Sequence, residues 1–166
     1  MTICARNRAE LFGAITPCDV GATAHDPRVS NIVGAISPDR PHVKFVGATV
    51  PGRPHVKLSD IGKVIRTAIL RNHRNNVIID RYVVMPNHIH MIMIMSSETG
   101  DRGRSPLQTI IRNMKAYITK QIGFSPWQKS FHDHIIRNER DYLRIAEYIE
   151  NNPVTWEHDC FHPNDK

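Results

Sequence analysis

Apolar residues near the middle of the chain fall into two strand-length runs, Val77 to Val84 and His88 to Met95 (HIHMIMIM), parted by Pro86-Asn87. Alternate side chains of a strand share a face, so the runs read as an antiparallel pair around a tight connection or bulge. His88 and His90 then project together from one surface, which Ile92 and Ile94 continue, while Ile89, Met91, Met93 and Met95 line the other. With both faces apolar, the second strand is expected to be central and covered on both sides.

Helical spacing takes over on either side. Ser59 or Asp60 can cap a helix to about Asn72, with Ile61, Val64, Ile65, Ala68 and Ile69 as its apolar stripe. Ser105-Pro106 opens a second helix to about Ile122, striped by Leu107, Ile110, Ile111, Met114 and Ile118 and ended by Gly123. Glu139 to Asn152 reads as a third, with Glu139 and Asp141 at its positive end, Leu143, Ile145, Ala146 and Ile149 for packing, and Pro153 as its stop. Thr2 to Cys4 and the segment 127–137 (WQKSFHDHIIR) are further strand candidates, and Leu11 to Ile15 is a short apolar piece. The tail from Val154 carries no strong secondary-structure signal.

One stretch departs from this pattern. From Val20 to Leu58 the sequence repeats every thirteen residues (VGATAHDPRVSNI, VGAISPDRPHVKF, VGATVPGRPHVKL), each copy with Pro or Gly at turn positions. Each copy is too poor in apolar surface to form a layer, so a flexible loop with short extended pieces is expected. The regularity points to an in-frame duplication; the functional alternative is a basic loop touching DNA through Arg40, His42, Lys44, Arg53, His55 and Lys57. The chain thus divides into a first strand and turn (1–19), the repeat insertion (20–58), a core (59–157) and a tail (158–166).

Size and charge narrow the function. At 166 residues the chain suits one domain, and a net charge of +6 favours a polyanionic partner, nucleic acid first. Cys4, Cys18 and Cys160 form neither a CxxC pair nor an even framework, which implies reduced thiols and a cytoplasmic protein. Apolar runs are broken well before a membrane-spanning length, and the N-terminus lacks a signal-peptide core.

Two imidazoles converging on one volume can be satisfied core histidines or metal ligands. Tyr148 and Asn152 lie four apart on the third helix, hence on one face; Tyr148 offers a phenol and Asn152 an amide oxygen. Docked against the histidine strand, this set would hold a divalent cation, Mg²⁺ or Mn²⁺, beside a phenolic nucleophile, which suits attack on a phosphodiester. Tyr82, Tyr117 and Tyr142 read as packing tyrosines. Candidate phosphate contacts are Arg102 and Arg104 in the loop before the second helix, Arg112, Lys115 and Lys120 off its stripe, and Arg137.

MPNHIH followed by an apolar run, then WQKSFHDHIIR, then YIENNPV, in that order, resembles the single-tyrosine HUH transposases of insertion sequences, most of all their REP-associated tyrosine transposase branch. TICARNRAELFG is similar to the first strand and turn of that branch. The resemblance covers residues 1 to about 16 and 58 to 157. It implies a ferredoxin-like α+β fold, a central antiparallel sheet with helices packed on one side. It implies metal binding by His88, His90 and Asn152 and cleavage of single-stranded DNA at hairpin ends by Tyr148, leaving a 5′-phosphotyrosyl link and a free 3′-OH that can rejoin strands. The branch favours a monomer over a homodimer. Against its pattern, the residues before the first strand are missing and the repeat block is inserted. The alternatives are a DNA-binding protein of the same fold without cleavage, and a zinc protein using His132, His134, His158, Cys160 and His162.

Overall fold

A computed structural model describes residues 1–17, 44–45, 53–73, 77–95 and 106–163. Its elements run β1 (Thr2–Cys4), β2 (Gly13–Thr16), β3 (Lys44–Phe45), β4 (His55–Leu58), α1 (Asp60–Arg71), β5 (Val77–Val84), β6 (His88–Met95), α2 (Pro106–Ile122) and α3 (Glu139–Asn151). The fold is α+β, as expected. The main sheet has the order β1-β6-β5-β3, and β2 pairs with β4 in a small second sheet. β4 is the end of the last thirteen-residue copy, one of the short extended pieces expected there; most of the repeat lies outside the described residues.

β5 and β6 form the antiparallel pair read from the sequence, closed by Met85 N–H donating to the His88 carbonyl at 2.8 Å across Pro86-Asn87. β6 is flanked by β1 with Thr2 opposite His90 and Cys4 opposite His88. Side-chain alternation then separates two cores. Ile89 and Met91, with Tyr82 and Val84 of β5, face α1 (Ile65, Ala68, Ile69) and α2 (Ile111, Met114, Ile118). Val83 and Ile92 face the opposite way, onto Ala146 and Ile149 of α3, Val56 of β4 and Trp156. Helices therefore cover both faces of the sheet rather than one: two helices on one side, α3 and the chain that follows it on the other. This matters for function, because the histidine side chains point toward α3.

Several expectations need correction. β6 is doubly covered only along its first half; Ile94 is 50% exposed and belongs to neither core. Leu143 belongs to neither core among the described residues and is 57% exposed, while Ile145, Ala146 and Ile149 carry the helix. Residues 127–137 form no regular strand. They touch β1 through two isolated bridges, Thr2 to His132 and Ala5 to Trp127. Three residue steps on β1 face five on the partner, so no continuous ladder can form.

Local chemistry explains where the helices sit. Ser59 caps α1 by accepting from Gly62 N–H at 3.1 Å and donates to the Leu11 carbonyl at 2.6 Å, tying the helix to the start of β2. Gly62 is required there, since a Cβ would lie 2.0 Å from the Phe12 carbonyl oxygen. Gly123 ends α2 in the left-handed region at φ +83°. On α3, Asn138 caps the first turn, accepting from Asp141 N–H at 2.8 Å. α3 is docked by a bulge in β5. The register steps from Ile79 to Arg81 with Asp80 as the extra residue, which lets both Asp80 and Arg81 reach the Tyr142 hydroxyl, at 2.7 and 3.2 Å. Arg81 also pairs with Glu150. No helix among the described residues is long and apolar enough to cross a membrane.

Candidate functional site

His88 and His90 stand edge to face, ring centroids 4.5 Å apart, and both are buried. α3 lies over them: the Tyr148 hydroxyl is 3.3 Å from His90 Nε2, and its ring centroid is 5.0 Å from that of His90. Asn152, at the C-terminal end of α3, is completely buried. The four residues singled out from the sequence are thus brought together.

Two residues that the sequence reading passed over complete the cluster. Asp159 is buried. Its Oδ2 accepts from the Tyr148 hydroxyl at 3.0 Å and from Asn152 Nδ2 at 2.8 Å, and its Oδ1 accepts from Phe161 N–H at 2.7 Å. By engaging the amide nitrogen, Asp159 turns Asn152 Oδ1 the other way. Asn87 is the second. Its Nδ2 donates to the carbonyls of Arg8 at 3.1 Å and Phe161 at 2.8 Å, and its Oδ1 faces His88 Nδ1 at 2.9 Å. An amide oxygen only accepts, so His88 carries its proton on Nδ1 and presents Nε2 as a lone pair. Thr2 Oγ1 lies 2.8 Å from His90 Nδ1 and holds that ring in place, either donating or accepting.

His88 Nε2 and Asn152 Oδ1 are both buried without a hydrogen-bond partner. An unmade hydrogen bond costs about 1–3 kcal/mol for each such group, so two in one cluster need a physical reason. One nitrogen or oxygen from each of His88, His90 and Asp159 lies within 4.8 Å of the others. A divalent cation fits beside the two imidazoles, with either the Asp159 carboxylate or the unpartnered Asn152 oxygen as third donor. The zinc alternative does not gather: His132, His134, His158, Cys160 and His162 form no such group among the described residues. His134 instead pairs with Asp141 at 2.7 Å.

Burial sets the electrostatics. It pushes the His88 pKa down to about 4, against the opposing pull of the Asp159 carboxylate and the Asn152 amide. It also drives His90 well below its usual value, helped by His88 and the chain's amino group. Both imidazoles are neutral at pH 7, as ligands must be. Tyr148 is shifted up, by burial first and then by Asp159, so its phenol is protonated.

Two consequences can be measured. His88 titrates below its ordinary 6.5 in the fold, so the unfolded chain takes up the proton first and metal-free stability falls as the pH drops below that value. Each pH unit is worth about 1.4 kcal/mol per group, so His88 alone removes on the order of 3 kcal/mol by pH 4. Thermal melts should show a falling Tm from pH 7 to 4.5; a flat profile would contradict the buried neutral pair. Asn87→Ala should cost about 1–3 kcal/mol in urea unfolding and weaken divalent-cation binding about ten- to a hundredfold by calorimetry. Unchanged cation affinity would remove Asn87 from the positioning of His88.

The candidate phosphate contacts scatter. Arg112 is exposed on α2, and Lys120 is exposed further along it. Lys115 is half-buried; its ammonium donates to the Gln128 and Ser130 carbonyls, both at 3.1 Å, so it fastens the irregular segment beside β1. Arg137 lies in an open hollow shared with Asp133 and Asp141. Arg102 and Arg104 lie outside the described residues.

Comparison with known proteins agrees with the motifs. No protein-family profile matches the chain. An uncharacterized protein of Haemophilus influenzae is 36% identical over 102 residues, covering 49% of this chain and 57% of its own length. A REP-associated tyrosine transposase of Escherichia coli is 32% identical over 94 residues, covering 55% of this chain and 54% of its own length. The chain therefore spans about half the length of each curated relative. A solved structure described as a REP-associated tyrosine transposase bound to a REP hairpin aligns at a TM-score of 0.48 with 31% identity, over 57% of this chain and 55% of that one. The resemblance read from the ordered motifs is borne out by the similarity to the E. coli transposase.

Proposed function

We propose that this chain cleaves and rejoins single-stranded DNA beside a hairpin, using Tyr148 as nucleophile and a divalent cation, Mg²⁺ or Mn²⁺, held by His88, His90 and Asn152. The observation that carries this reading is the pair of unpartnered buried atoms, His88 Nε2 and Asn152 Oδ1, beside a phenol that reaches His90. Two imidazoles and an amide oxygen leave positions for substrate oxygens. Similarity to a protein named as a tyrosine transposase supports the same chemistry.

When bound, the cation would hold a non-bridging phosphate oxygen and offset the charge that builds as phosphorus is attacked. The remaining work falls to side chains of this protein. Tyr148 Oη forms a bond to phosphorus, the bond from phosphorus to the 3′-oxygen breaks, and that oxygen leaves as a 3′-OH, taking its proton from solvent water. Asp159 is the acceptor already facing the Tyr148 hydroxyl, and it receives the phenolic proton. The covalent link preserves the energy of the DNA bond, so attack by a 3′-OH on the phosphotyrosine reseals a strand. Asn87 and Thr2 hold the imidazoles in one orientation. All proposed catalytic groups come from one chain, so a monomer suffices.

The test is a hairpin-bearing single-stranded oligonucleotide incubated with Mg²⁺ or Mn²⁺ and resolved on a denaturing gel. A protein–DNA adduct that survives denaturation is expected. Cleavage with no adduct at any time point would make the enzyme a hydrolase and overturn the reading.

A further inference from the structure

A second concave surface, of about 600 Å³, lies between the turn Arg6–Arg8, α2 and the segment that follows Trp127. Arg6, Arg112, Lys115 and Lys129 line it together with neutral polar groups such as Asn7 and Gln128, and no acidic residue is among its lining. The contrast with the hollow at the start of α3 is informative. There Arg137, Arg140 and Arg144 share the surface with Asp133 and Asp141, and Asp141 pairs with Arg144 at 2.8 Å. In the α2 groove, Arg6, Arg112 and Lys129 are exposed and have no ion-pair partner among the described residues.

The groove is built rather than incidental. Trp127 is buried and donates from Nε1 to the Lys115 carbonyl at 3.3 Å, while the Lys115 ammonium binds two carbonyls of the facing segment. Arg6 N–H donates to the Pro126 carbonyl at 2.7 Å, fixing the other wall. Between them Asn7 and Arg8 hold left-handed backbone, φ 55° and 53°, a conformation that non-glycine residues keep only where the surroundings impose it. This turn has two sides. Arg6 and Asn7 face the groove, while the Arg8 guanidinium reaches the Cys160 carbonyl at 2.9 Å and lies over the Phe161 ring, against the histidine cluster.

We propose that this groove binds the phosphodiester backbone of the DNA flanking the phosphate cut at Tyr148, and that the turn Arg6–Arg8 leads that strand to the cluster. The proposal rests on the function proposed above for its substrate, but not on the chemistry of cleavage. Unneutralised cations on a concave polar wall suit phosphates; with Trp127 buried, base stacking contributes nothing.

The experiment compares two charge-matched triple variants with the unaltered protein by fluorescence anisotropy, using a labelled hairpin oligonucleotide across a salt series. Arg6→Ala, Arg112→Ala and Lys129→Ala together should weaken binding at least about tenfold near 0.1 M salt and lower the slope of log affinity against log salt by roughly 2 to 3. Lys63→Ala, Arg140→Ala and Arg144→Ala, which remove the same charge elsewhere, should change affinity less than about threefold. All six side chains are exposed, and circular dichroism melts verify that both variants fold. Equal losses in the two variants, unchanged binding in the first, or no nucleic-acid binding by the unaltered protein would each overturn the proposal. A groove-dependent slope without any covalent adduct would uphold the groove and sink the cleavage reading, so the two fail separately.

Discussion

Tyr148→Phe is expected to abolish the covalent protein–DNA adduct, by at least about a thousandfold in rate, since loss of a nucleophile is among the most damaging changes a catalytic site can suffer. The same variant should bind the hairpin oligonucleotide as tightly as before. The ring, 44% exposed, is kept, and its edge contact with His90 survives. What disappears is one oxygen, with its bonds to His90 and Asp159, at a stability cost of about 1 kcal/mol. Tyr142→Phe is the matched control. It loosens the α3 anchor at Asp80 and Arg81 but leaves the nucleophile in place, so an adduct should still form. An adduct that persists in Tyr148→Phe and vanishes in Tyr142→Phe would move the nucleophile to the other end of the helix.

The second large effect concerns the cation. Adding Mg²⁺ or Mn²⁺ to the metal-free protein should raise its Tm, because a ligand bound by the native state alone stabilises it, by about 2.7 kcal/mol at a hundredfold excess over Kd. The two orphaned atoms lower the Kd itself, so this gain is reached at a lower metal concentration than a surface site would need, since the ion replaces bonds the fold leaves unmade. His88→Ala should erase both the thermal shift and the adduct. It also removes the imidazole packed between Phe161, 4.7 Å away, and Trp156, 5.8 Å away, so the variant's own melt must be measured beside it. His88→Gln, which keeps volume and a polar end, should fold well yet still lose the shift. Neither metal moving the Tm of the unaltered protein would remove the cation from the site.

Much of this was legible in the residues. Strict alternation around Pro86-Asn87 gave the β5–β6 pair and the parallel histidines, because period-two spacing fixes which face each side chain shares. The four-residue step from Tyr148 to Asn152 gave the helix face, and capping residues placed the helix ends within a residue or two. Other features depend on contacts that no local pattern encodes. Asp159 sits in a tail without periodicity, between His158, Cys160 and His162, whose alternation says nothing of the carboxylate among them. Asn87 read as a turn residue, which it is; its second use as the orienting partner of His88 emerges only when Arg8 and Phe161 arrive. The segment 127–137 has strand-like composition, yet its carbonyls are drawn off by Lys115, and its two contacts with β1 are out of step. The bulge at Asp80 leaves no trace in the hydrophobic pattern, although it decides how α3 is held.

Asn87 also bears on how the protein comes into being. Its amide spans 74 residues to Phe161, and Arg8 spans 152 to Cys160. A chain emerging from the ribosome at roughly 5–20 residues per second can fold its first helix and hairpin while these partners are still unmade. The histidines then wait without a tyrosine, a proton acceptor or a fixed tautomer. The cluster around His88 and His90 thus closes only after the segment carrying Asp159 and Phe161 has been made and docked, long after the strand that bears the histidines.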